Sequence, residues 1–219
     1  MLKRPPHNHL YAITECQELS EPTLLSVSES ILAGGCQLLQ YRDKSDDSPK
    51  RQAQASHLQT LCRAVGAQLI INDDIALACE VGAAGVHLGQ SDASPAQARE
   101  MLGPDAIIGV TCHDDLNLAQ EALTQGANYI AFGRFYASST KPGAPPAPLK
   151  LLQEARSRWP QAVIVAIGGL NLDNAPEVIS QGADYTAMCH SVYHHPQPQQ
   201  YAEQFDHRYF HSPDARSVS

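Results

Sequence analysis

The sequence predicts an α/β fold, a single-domain (β/α)8 TIM barrel, on three observations. First, one phrase recurs along the chain: a helix-like stretch, a glycine, a few small residues, then a short apolar run ending in something polar. It reads AGGCQLLQYR, VGAQLIIND, VGAAGVHLGQ, QGANYIAFGR and QGADYTAMCH. Glycine suits the left-handed position that closes a helix, and a short continuous apolar run suits a strand covered on both faces. Second, eight such strands can be counted, with helical segments in every gap, which is the pattern of right-handed crossovers in a closed parallel sheet. Third, the rival doubly wound sheet would want GxGxxG after its first strand, and LYAITECQELSEP has none. With 219 residues the chain lies near the lower end for such barrels, so its loops must be lean. Residues 1–219 are expected to form one domain with an ordered core at about 10–205, leaving residues 1–8 and the polar tail from His207 as loose ends.

The strands are expected at 10–14, 38–42, 68–72, 85–89, 106–112, 129–133, 162–168 and 185–189. The helix over 94–102 is the best marked, with Ser94 as N-cap, Pro95 at the first helical position, Gln97 completing a capping box and Gly103 closing the end. In the helix after the sixth strand, Leu152, Ala155 and Trp159 keep the spacing of a core-facing stripe. Composition narrows the function. A formal net charge of −8 argues against nucleic-acid and anionic-membrane partners, so an anionic ligand must be held by a few local positive groups. The six cysteines are dispersed and never form CxxC, which predicts reduced thiols in a cytoplasmic protein, and no apolar run has the length of a signal peptide or a membrane span. A homo-oligomer is left open.

In a barrel the functional residues collect at the carboxyl ends of the strands. The second strand ends in Gln40, Tyr41, Arg42, Asp43 and Lys44; on an extended chain Gln40, Arg42 and Lys44 share a side, and two cations with an amide suit a diphosphate. A solvated Arg/Lys loop would read the same way. Asn72, Asp73 and Asp74 follow the third strand, Asp74 placed to cap the next helix, and Asp92 follows the fourth. Asp73 and Asp92 on adjacent loops would repel, and a hard cation such as Mg²⁺, completed by phosphate oxygens, resolves the conflict.

Thr111, Cys112 and His113 end the fifth strand, where Cys112 reads as a packed thiol rather than a nucleophile. The sixth opens into a long loop, 134–146, whose hydroxyls, Lys141 and Pro/Gly stretch read as a ligand cover or as a plain surface crossover. Gly168 and Gly169 end the seventh strand and would let backbone N–H groups approach a phosphate. His190, His194 and His195 look like a ligand cluster, but no carboxylate or thiolate stands at suitable spacing, and a metal site is not assigned to them.

These motifs, QYRDK, INDD, GVHLGQSD, GVTCH, FGRFYASSTKPGAPP, VAIGG and the stretch from GAD to His190 and Ser191, closely resemble the thiamine-phosphate synthase family in order and spacing, from about Leu10 to Tyr193. The block as a whole resembles the γ-proteobacterial branch. The resemblance implies a (β/α)8 barrel that joins 4-amino-2-methyl-5-hydroxymethylpyrimidine diphosphate to a thiazole phosphate or its carboxylated form, releasing pyrophosphate and using Mg²⁺. It implies that Gln40, Arg42, Lys44 and Asn72 hold the pyrimidine diphosphate and that Asp73 and Asp92 are the metal ligands. Thr111 lies near the pyrimidine, Ser138 and Thr140 hold the thiazole phosphate, and Lys141 contacts the diphosphate. Gly169, His190 and Ser191 complete the thiazole-phosphate pocket. Arg42, Lys44 and Lys141 would be the catalytic cations. The chain departs from the commoner pattern at Gly133-Arg134, where many members have Gly-Pro, and at His190, where many have Ser. A thiazole tautomerase and a silent barrel that binds thiamine phosphate are the rival functions; retention of the two aspartates and the Gln40/Arg42/Lys44 set speaks against the first, and metal-dependent diphosphate binding separates the enzyme from the second.

Overall fold

The computed structural model describes residue 2 and residues 8–137 and 147–205. Its strands are β1 (Leu10–Ile13), β2 (Leu38–Tyr41), β3 (Gln68–Asn72), β4 (Gly85–Leu88), β5 (Ile107–His113), β6 (Tyr129–Gly133), β7 (Val163–Ile167) and β8 (Tyr185–Met188). Every neighbouring pair is parallel and β8 pairs with β1, closing the barrel. The helices α1 (Glu21–Ala33), α2 (Ser48–Val65), α3 (Ile75–Val81), α4 (Pro95–Leu102), α5 (Leu116–Thr124), α6 (Lys150–Arg158) and α7 (Ala175–Ser180) fill the crossovers. Two short helices, α8 (His190–Tyr193) and α9 (Pro198–Glu203), follow the last strand.

Side chains alternate across each strand and split the apolar residues into two sets. Outward residues such as Leu39, Val86, Ile108, Ile130 and Ile164 pack under the helices. Inward residues such as Tyr11, Leu38, Ile70, Tyr129, Val163 and Tyr185 fill the barrel. The interior is tight: a Cβ on Gly109 would lie 1.8 Å from the Tyr129 ring, so glycine at that position is what admits the tyrosine.

α4 starts and ends where its local signals put it, with the Ser94–Gln97 capping box formed in both directions and Gly103 after its last residue. In α6, Leu152 and Ala155 are buried, with Trp159 packed against the same core. Two residues of the stretch expected to be loose are described, and both pack on the barrel. Leu2 joins the interior cluster and Asn8 is buried, accepting from the Leu10 N–H at 2.9 Å and donating to Ala202 O at 2.8 Å. The reason is α9, whose sequence gave no strong helical signal. It packs on α1, and Phe205 beyond it is fully buried, its carbonyl accepting from the His9 N–H at 2.9 Å.

Candidate active site

At the mouth above β2, β3 and β4 the residues singled out from sequence are held in two groups. Lys44 is half exposed and its ammonium meets the Asp73 carboxylate, which also accepts from the Asn72 amide at 2.7 Å. Asp73 sits at φ 62°, a left-handed conformation that costs a side chain on the order of 1 kcal/mol. The turn lets its N–H reach His87 O at 2.8 Å and places Asp74 to cap α3, where the Leu77 N–H donates to it at 2.9 Å. Asp74 also pairs with Arg51 at 2.8 Å. Asp92, in the loop after β4, accepts from the Gly89 N–H at 2.7 Å. Arg42 is tied through its backbone, its N–H donating to Thr14 Oγ1 at 2.8 Å.

Gln40, Arg42 and Lys44, expected on one side of an extended segment, are held in different surroundings. β2 ends at Tyr41, so Gln40 stays inside the barrel while Lys44 reaches across to the β3 loop. Lys44 also supplies a counter-charge to Asp73 that the sequence argument left to the metal alone.

Gln40 begins a polar chain that sequence reasoning did not find. Its amide donates to the Tyr11 hydroxyl at 2.7 Å, Tyr11 meets Tyr129 at 2.8 Å, Tyr129 meets His87 Nδ1 at 2.9 Å, and His87 Nε2 meets Thr111 Oγ1 at 2.8 Å. With Gln40 as the first donor, one arrangement uses every hydroxyl proton within the chain. Tyr11, accepting from Gln40, donates to Tyr129, which donates to His87 Nδ1, and the neutral imidazole donates from Nε2 to Thr111. Burial holds His87 neutral, with its pKa lowered to about 4 and the Asp92 charge opposing only in part. In that arrangement Thr111 receives a hydrogen bond from below, leaving its own hydroxyl proton to a group above. The readable signal was polarity at inward positions of five strands; the pairing across the barrel was not readable. Cys112 is a fully buried thiol with its pKa pushed up to about 12 by burial, as expected of a packed residue.

On the other side of the mouth, the Gly168–Gly169 pair makes room for the protein's own backbone. A Cβ on Gly169, at φ 65°, would lie 2.4 Å from Ala137 O and 2.8 Å from Tyr136 O. The segment leaving β6 lies directly over the pair, with the Tyr136 N–H donating to Gly168 O at 3.0 Å. The Ser191 hydroxyl donates to Leu170 O at 2.9 Å, tying α8 to the β7 loop. His190 is exposed and stacks on His194 with ring centroids 4.2 Å apart. His195 stands apart, against Tyr201. The carboxylate missing from the local sequence arrives from β1: Glu15, His190 and His194 bring ligand atoms within 4.8 Å of one another. Ser138, Thr140 and Lys141 lie outside the described residues.

A divalent cation fits the β3–β4 side of the mouth. Asp73 and Asp92 are hard oxygen donors on neighbouring loops, the composition Mg²⁺ takes. Among the described residues both are engaged through Oδ2, by Lys44 and Asn72 in one case and by Gly89 in the other, leaving Oδ1 of each to a cation.

Comparison with known proteins adds a family to this geometry. The family described as thiamine monophosphate synthase matches residues 10–192. The thiamine-phosphate synthase of Saccharophagus degradans is 50% identical over 193 residues, covering 86% of this chain and 88% of its own. That of Marinobacter nauticus is 52% identical over 179 residues, covering 82% and 80%. Among solved structures, the thiamine phosphate pyrophosphorylase from Pyrococcus furiosus superposes with a TM-score of 0.79 at 29% identity, covering 90% of this chain and 92% of that one.

Proposed function

The chain belongs to the thiamine monophosphate synthase family, and on that premise we propose how its residues share the synthesis of thiamine phosphate. It is a transferase, acting on small molecules. The pyrimidine diphosphate lies over β2–β4, with its ring above Gln40 and Thr111 and its diphosphate toward Arg42, Lys44 and Asn72. The thiazole phosphate lies over β6–β8, held by Ser138, Thr140, Gly169 and the N–H groups around His190 and Ser191, with Lys141 reaching the diphosphate between them. Asp73 and Asp92 would hold Mg²⁺, which when bound supplies charge neutralisation to the departing pyrophosphate.

The observation that carries this reading is the Lys44–Asp73–Asn72 cluster standing beside the directed chain from Gln40 to Thr111. The chain presents oriented polar groups to a heteroaromatic ring, while the cluster gives cationic and anionic groups to a diphosphate and its cation. Loss of pyrophosphate leaves a benzylic-type methylene cation on the pyrimidine; Arg42 and Lys44 stabilise the leaving charge, and the thiazole nitrogen, placed by its own phosphate, captures the carbon. Protein nucleophiles have no part in it, in keeping with Cys112 lying wholly buried. The Ser191 hydroxyl is committed to Leu170 O, so phosphate at that corner is served by backbone N–H groups. Six unpaired thiols support a reducing, cytoplasmic setting.

The test is thiamine phosphate formation, followed as thiochrome fluorescence, with both substrates and Mg²⁺ or a chelator. Product that depends on Mg²⁺ is expected. Folded protein that makes none, or that isomerises thiazole phosphate instead, would overturn the assignment.

A further inference from the structure

We propose that Glu15, His190 and His194 form a second cation site, distinct from Asp73 and Asp92, that takes a borderline transition metal of the Zn²⁺ class. The three residues bring their ligand atoms within 4.8 Å of one another at the edge where β8 meets β1. His190 and His194 are four residues apart on one helical turn, closed by the His194 N–H on His190 O at 3.0 Å, which is the spacing that puts two imidazoles on one face. Their rings stack with centroids 4.2 Å apart, so both already lean to the same side.

Two imidazoles and one carboxylate with open positions is a donor set that Zn²⁺ accepts and that hard Mg²⁺, which prefers oxygen, does not select. Zinc bonds of about 2.0 Å set tetrahedral ligand atoms about 3.3 Å apart, and two exposed histidines can close the remaining distance by rotating their side chains. Supporting groups are in place around the ligands. The Cys189 thiol donates to Glu15 Oε2 at 3.0 Å and orients the carboxylate. Glu18 stands 3.3 Å from Nε2 of His194, where it would fix the ring with Nδ1 as the ligating nitrogen.

The site goes beyond the reaction proposed above and does not depend on it. The experiment is equilibrium dialysis of the chelator-stripped full-length chain against Zn²⁺ in excess Mg²⁺, with Co²⁺ as a spectroscopic substitute. One equivalent of Zn²⁺ is expected, together with the visible absorption of low-coordinate Co²⁺. His194→Ala and Glu15→Gln should each weaken binding by at least about tenfold, while circular dichroism stays that of the parent and Asp73→Asn keeps the Zn²⁺. Failure to bind, binding indifferent to both substitutions, or binding lost in Asp73→Asn would each overturn the proposal.

Discussion

The two ends of the barrel both carry arginine or lysine, and they use them in opposite ways. At the amino-terminal end, Arg99 of α4 donates to the carbonyls of Gly103, Pro104, Ala106 and Gly126 and to Asn128 Oδ1 at 2.7 Å. Arg156 of α6 repeats the arrangement on the carbonyls of Pro160, Ala162 and Gly182 and on Asp184 Oδ2 at 2.6 Å. Asn128 and Asp184 are themselves equivalent, each accepting a backbone N–H at 2.8 Å, from Ile108 and Ile164. These guanidinium groups spend their donors on the loops that enter the strands. At the carboxyl mouth, by contrast, Lys44 stands half exposed with a carboxylate that is itself a metal-ligand candidate. Direction along the strand, rather than residue type, decides whether a cation serves the fold or a ligand.

Arg156→Ala is the strongest way to separate the two ends. It leaves Asp184 buried and charged without its guanidinium, and should cost about 3–5 kcal/mol in a denaturant titration while kcat of the folded fraction holds. A large fall in kcat at full folding would place Arg156 in the active site. Lys44→Ala should do the reverse, lowering kcat/KM by about 10²–10³-fold, with a melting temperature close to the parent's because an exposed ion pair contributes little to folding.

His87 sharpens the picture inside the barrel. Its folded pKa, lowered to about 4, lies below the unfolded value near 6.5, so the unfolded chain binds the extra proton between them. The stability this contributes is present above about pH 6.5 and is lost as pH falls toward 4, about 3 kcal/mol in all. In His87→Gln that part of the acid decline should vanish; an unchanged pH curve would mean that the ring does not lie buried and neutral on Tyr129. Arg99→Ala should have the smallest effect, about 1–3 kcal/mol, because its side-chain partner Asn128 is neutral. A loss equal to that of Arg156→Ala would show that the ion pair adds nothing to the clamp.

Much of the frame could be read before any coordinates because it is written locally. Every strand falls within two residues of its expected bounds, and α4 shows its capping box, because glycine punctuation and capping residues act over a few positions. What could not be read depends on partners far apart in sequence. The chain from Gln40 to Thr111 crosses five strands, and Glu15 meets histidines that lie beyond the last strand. Gly169 was read for its backbone N–H, while the close approach of the backbone of 136–137 beside it was not readable. The anchoring of Asn8 was hidden because its partner, α9, is the last element among the described residues.

The most direct measurement is the initial rate of thiamine phosphate formation across a Mg²⁺ titration for the parent and for Asp73→Asn. The mouth described above predicts a sharply lower rate and a Mg²⁺ requirement raised by about tenfold or more in the variant, since one of its two carboxylate ligands is gone. Superimposable curves for the two proteins would remove Asp73 from the site and contradict the account.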